Sequence, residues 1–201
     1  MTFIVTYIHS QPDFTGQAME LIREYRNASS AQSGNLWVET MQERSRRNRF
    51  VVIEAWKDES FAQSHECEAP TTHFRSTLRT IQNSPNDQRI HHEFSVMPQT
   101  IVAGPGALYV VTHVDVPPPR REETEVLLKR LADDSRSDAG NLRYDAFQQQ
   151  APRTNHFTVF AVWSDEKAFA AHELNRHTRE FREALGPMLG APYDERLFEQ
   201  I

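Results

Sequence analysis

The chain repeats itself once, and this internal repeat limits the folds that are open to it. The second copy follows the first by 106 residues before a turn at Arg47 and by 107 residues after it. Four motifs keep their order in both copies: Gly-Asn-Leu from Gly34 and Gly140, Trp-x-Asp-Glu from Trp56 and Trp163, His-Glu from His65 and His172, and Phe-Arg-x-x-Leu from Phe74 and Phe181. A repeat preserved along a whole chain indicates two copies of one structural unit.

The two copies are joined by a segment that breaks regular structure. Residues 97–106 contain two prolines and two glycines, a composition that is typical of a connector. We therefore predict a first domain over residues 1–96, a linker over residues 97–106 and a second domain over residues 107–201. Each copy then has roughly the length of a small independent domain.

Each copy carries the same order of strand-like and helix-like patterns. Runs rich in β-branched and aromatic residues predict strands at residues 3–8, 36–42, 50–56 and 89–96, and in the second copy at 108–116, 142–148, 157–163 and 196–201. Apolar residues at helical spacing predict one helix after the first strand of each copy. A second helix is expected through His65 to residue 81, with Pro70 as a candidate break, and through His172 to residue 189.

The predicted order of elements, β-α-β-β-α-β, is the ferredoxin-like arrangement. One four-stranded sheet with helices on one face leaves its other face bare, and a tandem chain supplies a second sheet that can cover it. We therefore predict an α+β fold in which two tandem ferredoxin-like βαββαβ domains pack their antiparallel sheets into one pseudo-twofold dimeric α+β barrel, with the helices outside.

Charge and composition exclude several classes of function. The chain has 22 basic and 28 acidic residues and a formal charge of −6, which argues against a general nucleic-acid binder. A single cysteine, Cys67, excludes a disulfide framework and a thiolate metal cluster. No apolar run approaches the ~18 residues of a membrane helix. The N-terminus shows no basic leader, so we expect a cytoplasmic protein.

The motifs in this order resemble the antibiotic biosynthesis monooxygenase (ABM) family. The resemblance consists of Gly-Asn-Leu on one strand, Glu-x-Trp at the end of the next strand and a histidine nine residues after that tryptophan. It covers both copies, and therefore nearly the whole chain. The copies depart from the pattern differently: Glu54 of the first copy is Ala161 in the second, and Tyr144 of the second copy is Val38 in the first.

The resemblance implies a fused dimeric α+β barrel with a pocket between each sheet and its covering helices. It also implies a cofactor-independent monooxygenase that oxidises a quinol- or anthrone-like aromatic with O₂, using no flavin, metal or haem. The expected partners are thus a small aromatic substrate and O₂, with no nucleic acid and no membrane. We expect a monomeric pseudo-dimer, and the sequence leaves further homodimerisation open.

The candidate catalytic residues are His65 and His172, because histidine titrates nearest to neutral pH and can take a proton from the substrate. Each could instead pack or cap between helix and sheet. The candidate substrate-binding residues are Asn35, Trp56, His73, Asn141, Tyr144, Trp163 and His177. The tryptophans could equally be core aromatics, and the asparagines could fix the turns beside their glycines.

The sequence does not predict a metal or cofactor site. His91 and His92 are adjacent on a strand, so their side chains point to opposite faces. We find no His-x-x-x-His or Glu-x-x-His pair with ligand partners, and no Gly-x-Gly-x-x-Gly or Walker loop. We therefore expect no metal ion and no nucleotide cofactor.

Two alternative functions stay open. In haem-degrading relatives of this kind, a tryptophan stands where this chain has His65 and His172, and the haem-ligating histidine would fall at Arg75 and Arg182. These differences count against haem degradation. The differences between the two copies at the motif positions are compatible with a non-catalytic small-molecule-binding or stress-associated α+β barrel.

Overall fold

The computed structural model describes residues 1–97 and 101–201, so residues 98–100 of the predicted linker lie outside the described residues. The elements of the first copy are β1 (Thr2–His9), α1 (Thr15–Ser30), β2 (Asn35–Glu43), β3 (Arg49–Trp56), α2 (Glu59–Glu66), α3 (Ala69–Ile81) and β4 (Asp87–Ser95). Those of the second copy are β5 (Leu108–Asp115), α4 (Arg121–Ser135), β6 (Asn141–Gln149), β7 (His156–Trp163), α5 (Glu166–Leu174), α6 (Arg176–Leu185) and β8 (Asp194–Gln200).

The chain divides into two compact units. Unit 1 comprises residues 1–91 and 198–201, and unit 2 comprises residues 92–197. The divisions fall inside β4 and inside β8. Within the described residues, none of the helices has the length and apolar character needed to cross a membrane.

Unit 1 is an antiparallel sheet covered by helices on one face. Its strands lie in the order β4-β1-β3-β2, and the end of β8 continues beside β2 with Met41 opposite Gln200. The central strand β3 is nearly continuously apolar and buried, as expected for a strand with neighbours on both sides. The buried residues of α1 recur at helical spacing and pack with α3 over β3.

Unit 2 repeats this architecture. Its strands lie in the order β8-β5-β7-β6, with Val111 opposite Phe160 and Ala146 opposite Val159. Helices α4 and α6 pack over β7 and enclose an apolar core that includes Leu131, Trp163 and Phe181. Both copies therefore have the predicted α+β, ferredoxin-like order of elements.

The second helix of each copy is divided in two. The prediction of one continuous helix from His172 to residue 189 is therefore wrong. In the first copy α3 starts with Pro70 in its first turn, as expected for a proline break. In the second copy Asn175 has an extended backbone, with φ −65° and ψ 148°, and separates α5 from α6. Its amide donates to Asp138 at 2.7 Å, which favours the break at this residue.

The Gly-Asn-Leu motif has the same structural role in both units. Gly34 and Gly140 have φ values of +79° and +81°, a region that favours glycine. A Cβ atom at these positions would collide with the ring of Phe61 or with Ala168, so the glycines also permit the close approach of the following helix. Asp58 and Asp165 cap the helices that follow them, because each accepts backbone hydrogen bonds at the start of α2 or α5.

Candidate functional site

In unit 1, the predicted residue His65 belongs to a buried cluster with Tyr25 and Glu54. The Tyr25 hydroxyl oxygen lies 2.7 Å from His65 Nε2 and 3.1 Å from each carboxylate oxygen of Glu54. His65 Nε2 is also 3.3 Å from Glu54 Oε1. Helix α1, strand β3 and helix α2 each supply one member, and all three residues are buried. The cluster therefore joins a carboxylate, a phenol and an imidazole away from water.

The other ring nitrogen of His65 faces polar groups from a turn and a helix. Nδ1 lies 2.7 Å from the Gln32 amide oxygen and 3.2 Å from the Thr71 hydroxyl. An amide oxygen only accepts hydrogen bonds, so Gln32 favours a proton on Nδ1. Both nitrogens of His65 are thus engaged with the protein.

Aromatic rings fill the space around the unit 1 cluster. The ring of Trp56 lies 4.5 Å from that of His65, and Phe74 stacks on Tyr25 at 4.1 Å between ring centres. Burial, followed by the charge of Glu54, raises the pKa of the Tyr25 hydroxyl well above its usual 10.0. Tyr25 therefore remains a proton donor at neutral pH.

In unit 2, the predicted residue His172 pairs with a charged side chain. Its Nδ1 atom lies 2.7 Å from Asp138 Oδ2. The same carboxylate oxygen lies 3.1 Å from His177 Nε2, while Oδ1 accepts a hydrogen bond from the Asn175 amide at 2.7 Å. Asp138 thus connects two histidines and one amide. The three atoms His172 Nδ1, His177 Nε2 and Asp138 Oδ2 all lie within 4.8 Å of one another.

Burial lowers the pKa of His172 below its usual 6.5, while the hydrogen bond and the charge of Asp138 oppose this shift. The ring is therefore mainly neutral at pH 7 and can accept a proton. Asp138 would stabilise the cation that forms. Such a carboxylate–imidazole pair is suited to general base catalysis.

Two further predicted residues adjoin His172. The ring of Trp163 lies 4.6 Å from that of His172, and the ring of Tyr144 lies 5.7 Å away. Tyr144 meets Trp163 edge-on at 6.4 Å. Burial raises the pKa of the Tyr144 hydroxyl well above its usual value, so this group is also protonated at neutral pH. The structure thus brings Tyr144, Trp163, His172 and His177 together.

The two units differ chemically at matched positions. Leu131 and Ala161 of unit 2 stand where unit 1 has Tyr25 and Glu54. Conversely, the neutral Gln32 of unit 1 corresponds to Asp138. Unit 1 therefore has an acid–phenol–imidazole cluster, and unit 2 has a carboxylate between two imidazoles.

A cleft beside His177 opens between α4 and α6. Its volume is about 220 Å³, and its lining is Leu127, Arg130, Leu131, Asp134, His177, Glu180, Phe181 and Ala184. A more open depression of about 500 Å³ adjoins it and includes Asp138. The side chain of His177 is 20% exposed and that of His172 is 5% exposed, so His177 is the histidine that reaches this cleft.

The remaining predicted residues lie elsewhere in their units. Asn35 and Asn141 begin β2 and β6, opposite Trp56 and Trp163 in the sheet. Asn141 donates to the Arg143 carbonyl at 3.2 Å, a local contact of the kind that fixes a turn. His73 is exposed on α3.

Sequence reasoning missed five polar groups that contact His65 or His172: Tyr25, Gln32, Thr71, Asp138 and Thr178. The repeat carried one usable signal, because Gln32 and Asp138 each precede the glycine of Gly-Asn-Leu by two residues. The repeat does not show how close this turn lies in space to the helix that carries the histidine. His177 was predicted, but its contact with Asp138 was not.

Comparisons with known proteins are consistent with this architecture. A protein of Bacillus subtilis (strain 168) named "Putative monooxygenase YcnE" is 32% identical over 82 residues, which are 41% of this chain and 85% of that protein. A solved structure of a "putative monooxygenase" from Fusobacterium nucleatum has a TM-score of 0.89 at 14% identity, over 99% of this chain and 91% of that one. An "anthrone oxidase-like protein" has a TM-score of 0.73 at 11% identity, over 100% and 91% of the chains.

The structural similarities extend over the full chain, and they confirm the predicted fold class. The sequence pattern described as "Antibiotic biosynthesis monooxygenase" matches residues 1–77 and again residues 107–184. The two matches fall on the two copies of the repeat and together take in most of the sequence. The chain therefore belongs to the antibiotic biosynthesis monooxygenase family, with two family domains in tandem.

Proposed function

We propose that this protein is a cofactor-independent monooxygenase that oxidises a quinol- or anthrone-like aromatic with O₂, and that unit 2 carries the reaction. The observation that supports it most directly is the Asp138–His172 pair, which lies against Tyr144 and Trp163 and beside the cleft that His177 lines. We further propose the domains at residues 1–96 and 107–201, joined by the linker at 97–106.

In this proposal His172 removes a proton from the substrate. Its lowered pKa leaves the ring neutral at pH 7, and Asp138 stabilises the imidazolium that forms. The resulting electron-rich anion can transfer an electron to O₂. In an anthrone-like substrate, a ring CH₂ becomes C=O; one oxygen atom enters the product, and the other leaves as water with the two hydrogens. The substrate itself supplies all four electrons.

His177 has a positioning role in the same scheme. His172 is almost fully buried, whereas His177 reaches the cleft and shares Asp138 with it. A substrate that enters from the cleft therefore meets His177 first. We propose that His177 leaves its hydrogen bond with Asp138 when the substrate binds, which opens a path towards His172.

The corresponding space in unit 1 supports a structural role for that half. The ring of Trp56 lies against His65, and Phe74 stacks on Tyr25. The Tyr25 hydroxyl lies 2.7 Å from His65 Nε2, whereas Nε2 of His172 is 3.5 Å from the Thr178 hydroxyl. A substrate would have to displace these buried contacts. We therefore propose His65 as the structural counterpart of His172.

The test is oxygen uptake by chelator-treated protein with a panel of hydroquinones and anthrones. We expect enzyme-dependent uptake above autoxidation, its loss in His172→Ala and its retention in His65→Ala, with His73→Ala as an exposed-histidine control. Melting temperatures establish that each variant is folded. Loss in His65→Ala alone would assign the reaction to unit 1. No uptake with any compound, while aromatic ligands still raise the melting temperature, would favour the small-molecule-binding alternative.

A further inference from the structure

We propose that Asp138, His172 and His177 form a binding site for one divalent transition-metal ion, with Zn²⁺ as the expected ion. This inference goes beyond the proposed function and does not rest on it. A bound ion would occupy Asp138 and His172 Nδ1 and would therefore compete with the proton transfer proposed above, which is tested on chelator-treated protein. The donor set is two imidazole nitrogens and one carboxylate oxygen, which are among the common protein ligands of Zn²⁺.

The three donor atoms converge on one small volume. Asp138 Oδ2 lies 2.7 Å from His172 Nδ1 and 3.1 Å from His177 Nε2, and all three atoms lie within 4.8 Å of one another. Ligand bonds of ~2.0–2.1 Å in a tetrahedral zinc site place neighbouring donor atoms about 3.4 Å apart. Modest side-chain adjustments would therefore bring the donors to bonding distance.

The break between α5 and α6 is what allows two histidines to converge. Residues five apart in an unbroken helix point about 140° away from each other around the axis. Here His172 lies in the last turn of α5, Asn175 leaves the helical conformation, and His177 lies in the first turn of α6. The change of direction at Asn175 brings both rings to the same carboxylate.

The same asparagine orients the carboxylate. Its amide donates to Asp138 Oδ1 at 2.7 Å, which leaves Oδ2 directed to the histidines. Hydrogen bonds from residues that do not bind the metal themselves commonly hold metal-binding carboxylates in place. His172 can bind the ion through Nδ1 by moving its ring proton to Nε2, which approaches the Thr178 hydroxyl at 3.5 Å.

The site has an open side towards solvent. Asp138 and His177 are partly exposed and line the open depression, so an ion can enter and keep a water molecule as its fourth ligand. The charged groups that line it besides Asp138 are Arg130, Asp134, Arg176 and Glu180. Arg176 pairs with Glu180 at 2.5 Å, and Arg130 lies 3.8 Å from both Asp134 and Glu180, so the acidic residues offset the guanidinium charges.

Unit 1 provides an internal comparison. The positions that match Asp138, His172 and His177 are Gln32, His65 and Pro70. Of these three, only His65 is a strong zinc ligand, and its ring is already engaged with Tyr25 and Gln32. The proposal therefore predicts one ion per chain and not two.

The experiment is a titration of the chelator-treated full chain with Zn²⁺ by calorimetry and with Co²⁺ by visible absorption. We expect one ion per chain and an absorption spectrum typical of tetrahedral Co²⁺. Asp138→Asn and His177→Ala should each weaken binding at least tenfold, by analogy with measured losses at metal sites. His73→Ala, which removes an exposed histidine of unit 1, should leave the affinity unchanged.

A thermal measurement separates loss of the site from loss of the fold. Zn²⁺ should raise the melting temperature of the wild-type chain and of His73→Ala, but not that of His177→Ala, because only a native-state ligand stabilises the fold. Binding with the same affinity in Asp138→Asn and His177→Ala would overturn the proposal, as would the absence of a one-to-one complex. Since neither readout requires a substrate, failure of the oxygenase proposal would leave this result unaffected.

Discussion

Asp138 Oδ2 lies 2.7 Å from His172 Nδ1, at the position where the first copy of the repeat places the amide oxygen of Gln32 against His65. The two histidines are thus held in the same way by groups of different charge. A carboxylate stabilises a protonated imidazole, and an amide does so only weakly.

In unit 1 a carboxylate also adjoins the histidine, but Glu54 and Tyr25 lie at His65 Nε2, the nitrogen that would have to accept the proton. The second copy is the better candidate for proton transfer because its carboxylate lies at Nδ1, while Nε2 of His172 is 3.5 Å from the Thr178 hydroxyl.

The first prediction concerns this carboxylate. Asp138→Asn should lower the rate of oxygen uptake at least about tenfold, because general base catalysis contributes ~10²–10⁴-fold and depends on stabilising the protonated base. Rates are measured with the substrate that responds best in the hydroquinone and anthrone panel. The matched control is Gln32→Ala in unit 1, which should retain uptake. Equal losses in both variants would contradict the assignment of the reaction to unit 2.

The second prediction concerns the pH dependence of stability. The pKa of His172 is lower in the folded chain than its usual 6.5, so below that value the unfolded chain binds more protons. The contribution of His172 to the free energy of unfolding is therefore constant above the usual pKa. It decreases as the pH falls from there towards the folded-state pKa.

This dependence can be isolated by urea unfolding at pH 7.5 and pH 5.5. His172→Gln should lose less stability between the two pH values than the wild-type chain, whereas His73→Gln should behave like the wild type. A larger loss in His172→Gln than in the wild type would show that the shift has the opposite sign.

The third prediction concerns coupling in the buried cluster of unit 1. Tyr25→Phe removes the hydroxyl that contacts Glu54 and His65, and an unsatisfied buried group costs about 1–3 kcal/mol of unfolding free energy. Combining it with Glu54→Gln should give a coupling energy of about 0.5–3 kcal/mol, as is usual for residues in one network. Chemical denaturation of both single variants and the double variant measures this value. Strict additivity would mean that the hydroxyl and the carboxylate do not interact.

The fourth prediction concerns the turn glycines. Gly34→Ala and Gly140→Ala should each lower the free energy of unfolding by about 1–3 kcal/mol, because alanine is strained at positive φ and its Cβ would meet the following helix. Gly16→Ala is the control, since that glycine lies in α1 and an added Cβ there would meet no atom within 4 Å beyond the backbone of its own helix. It should raise stability by up to ~1 kcal/mol. Thermal or urea unfolding distinguishes the expected losses of stability in Gly34→Ala and Gly140→Ala from the expected gain in Gly16→Ala.

Local patterns in the sequence predicted the order of strands and helices in both copies, but not the division of the last helix of the second copy at Asn175. The runs of strand residues and the helical spacing of apolar residues depend on neighbours within a few positions. The duplicated motifs added the tandem organisation, and the conformation at Gly34 and Gly140 explains why one of these motifs contains glycine. His172, Trp163 and Tyr144 were predicted as site residues, and the structure brings them together.

The partners of the histidines were decided by the tertiary structure. Tyr25 and Glu54 are 29 residues apart, and Asp138 and His172 are 34 residues apart, so no local spacing relates them. The position of His177 depended on one residue, Asn175, whose backbone leaves the helix and whose amide holds Asp138. Periodicity and capping are short-range properties and can be read along the chain. A hydrogen bond between distant elements depends on how helix and sheet pack, and that packing exists only in three dimensions.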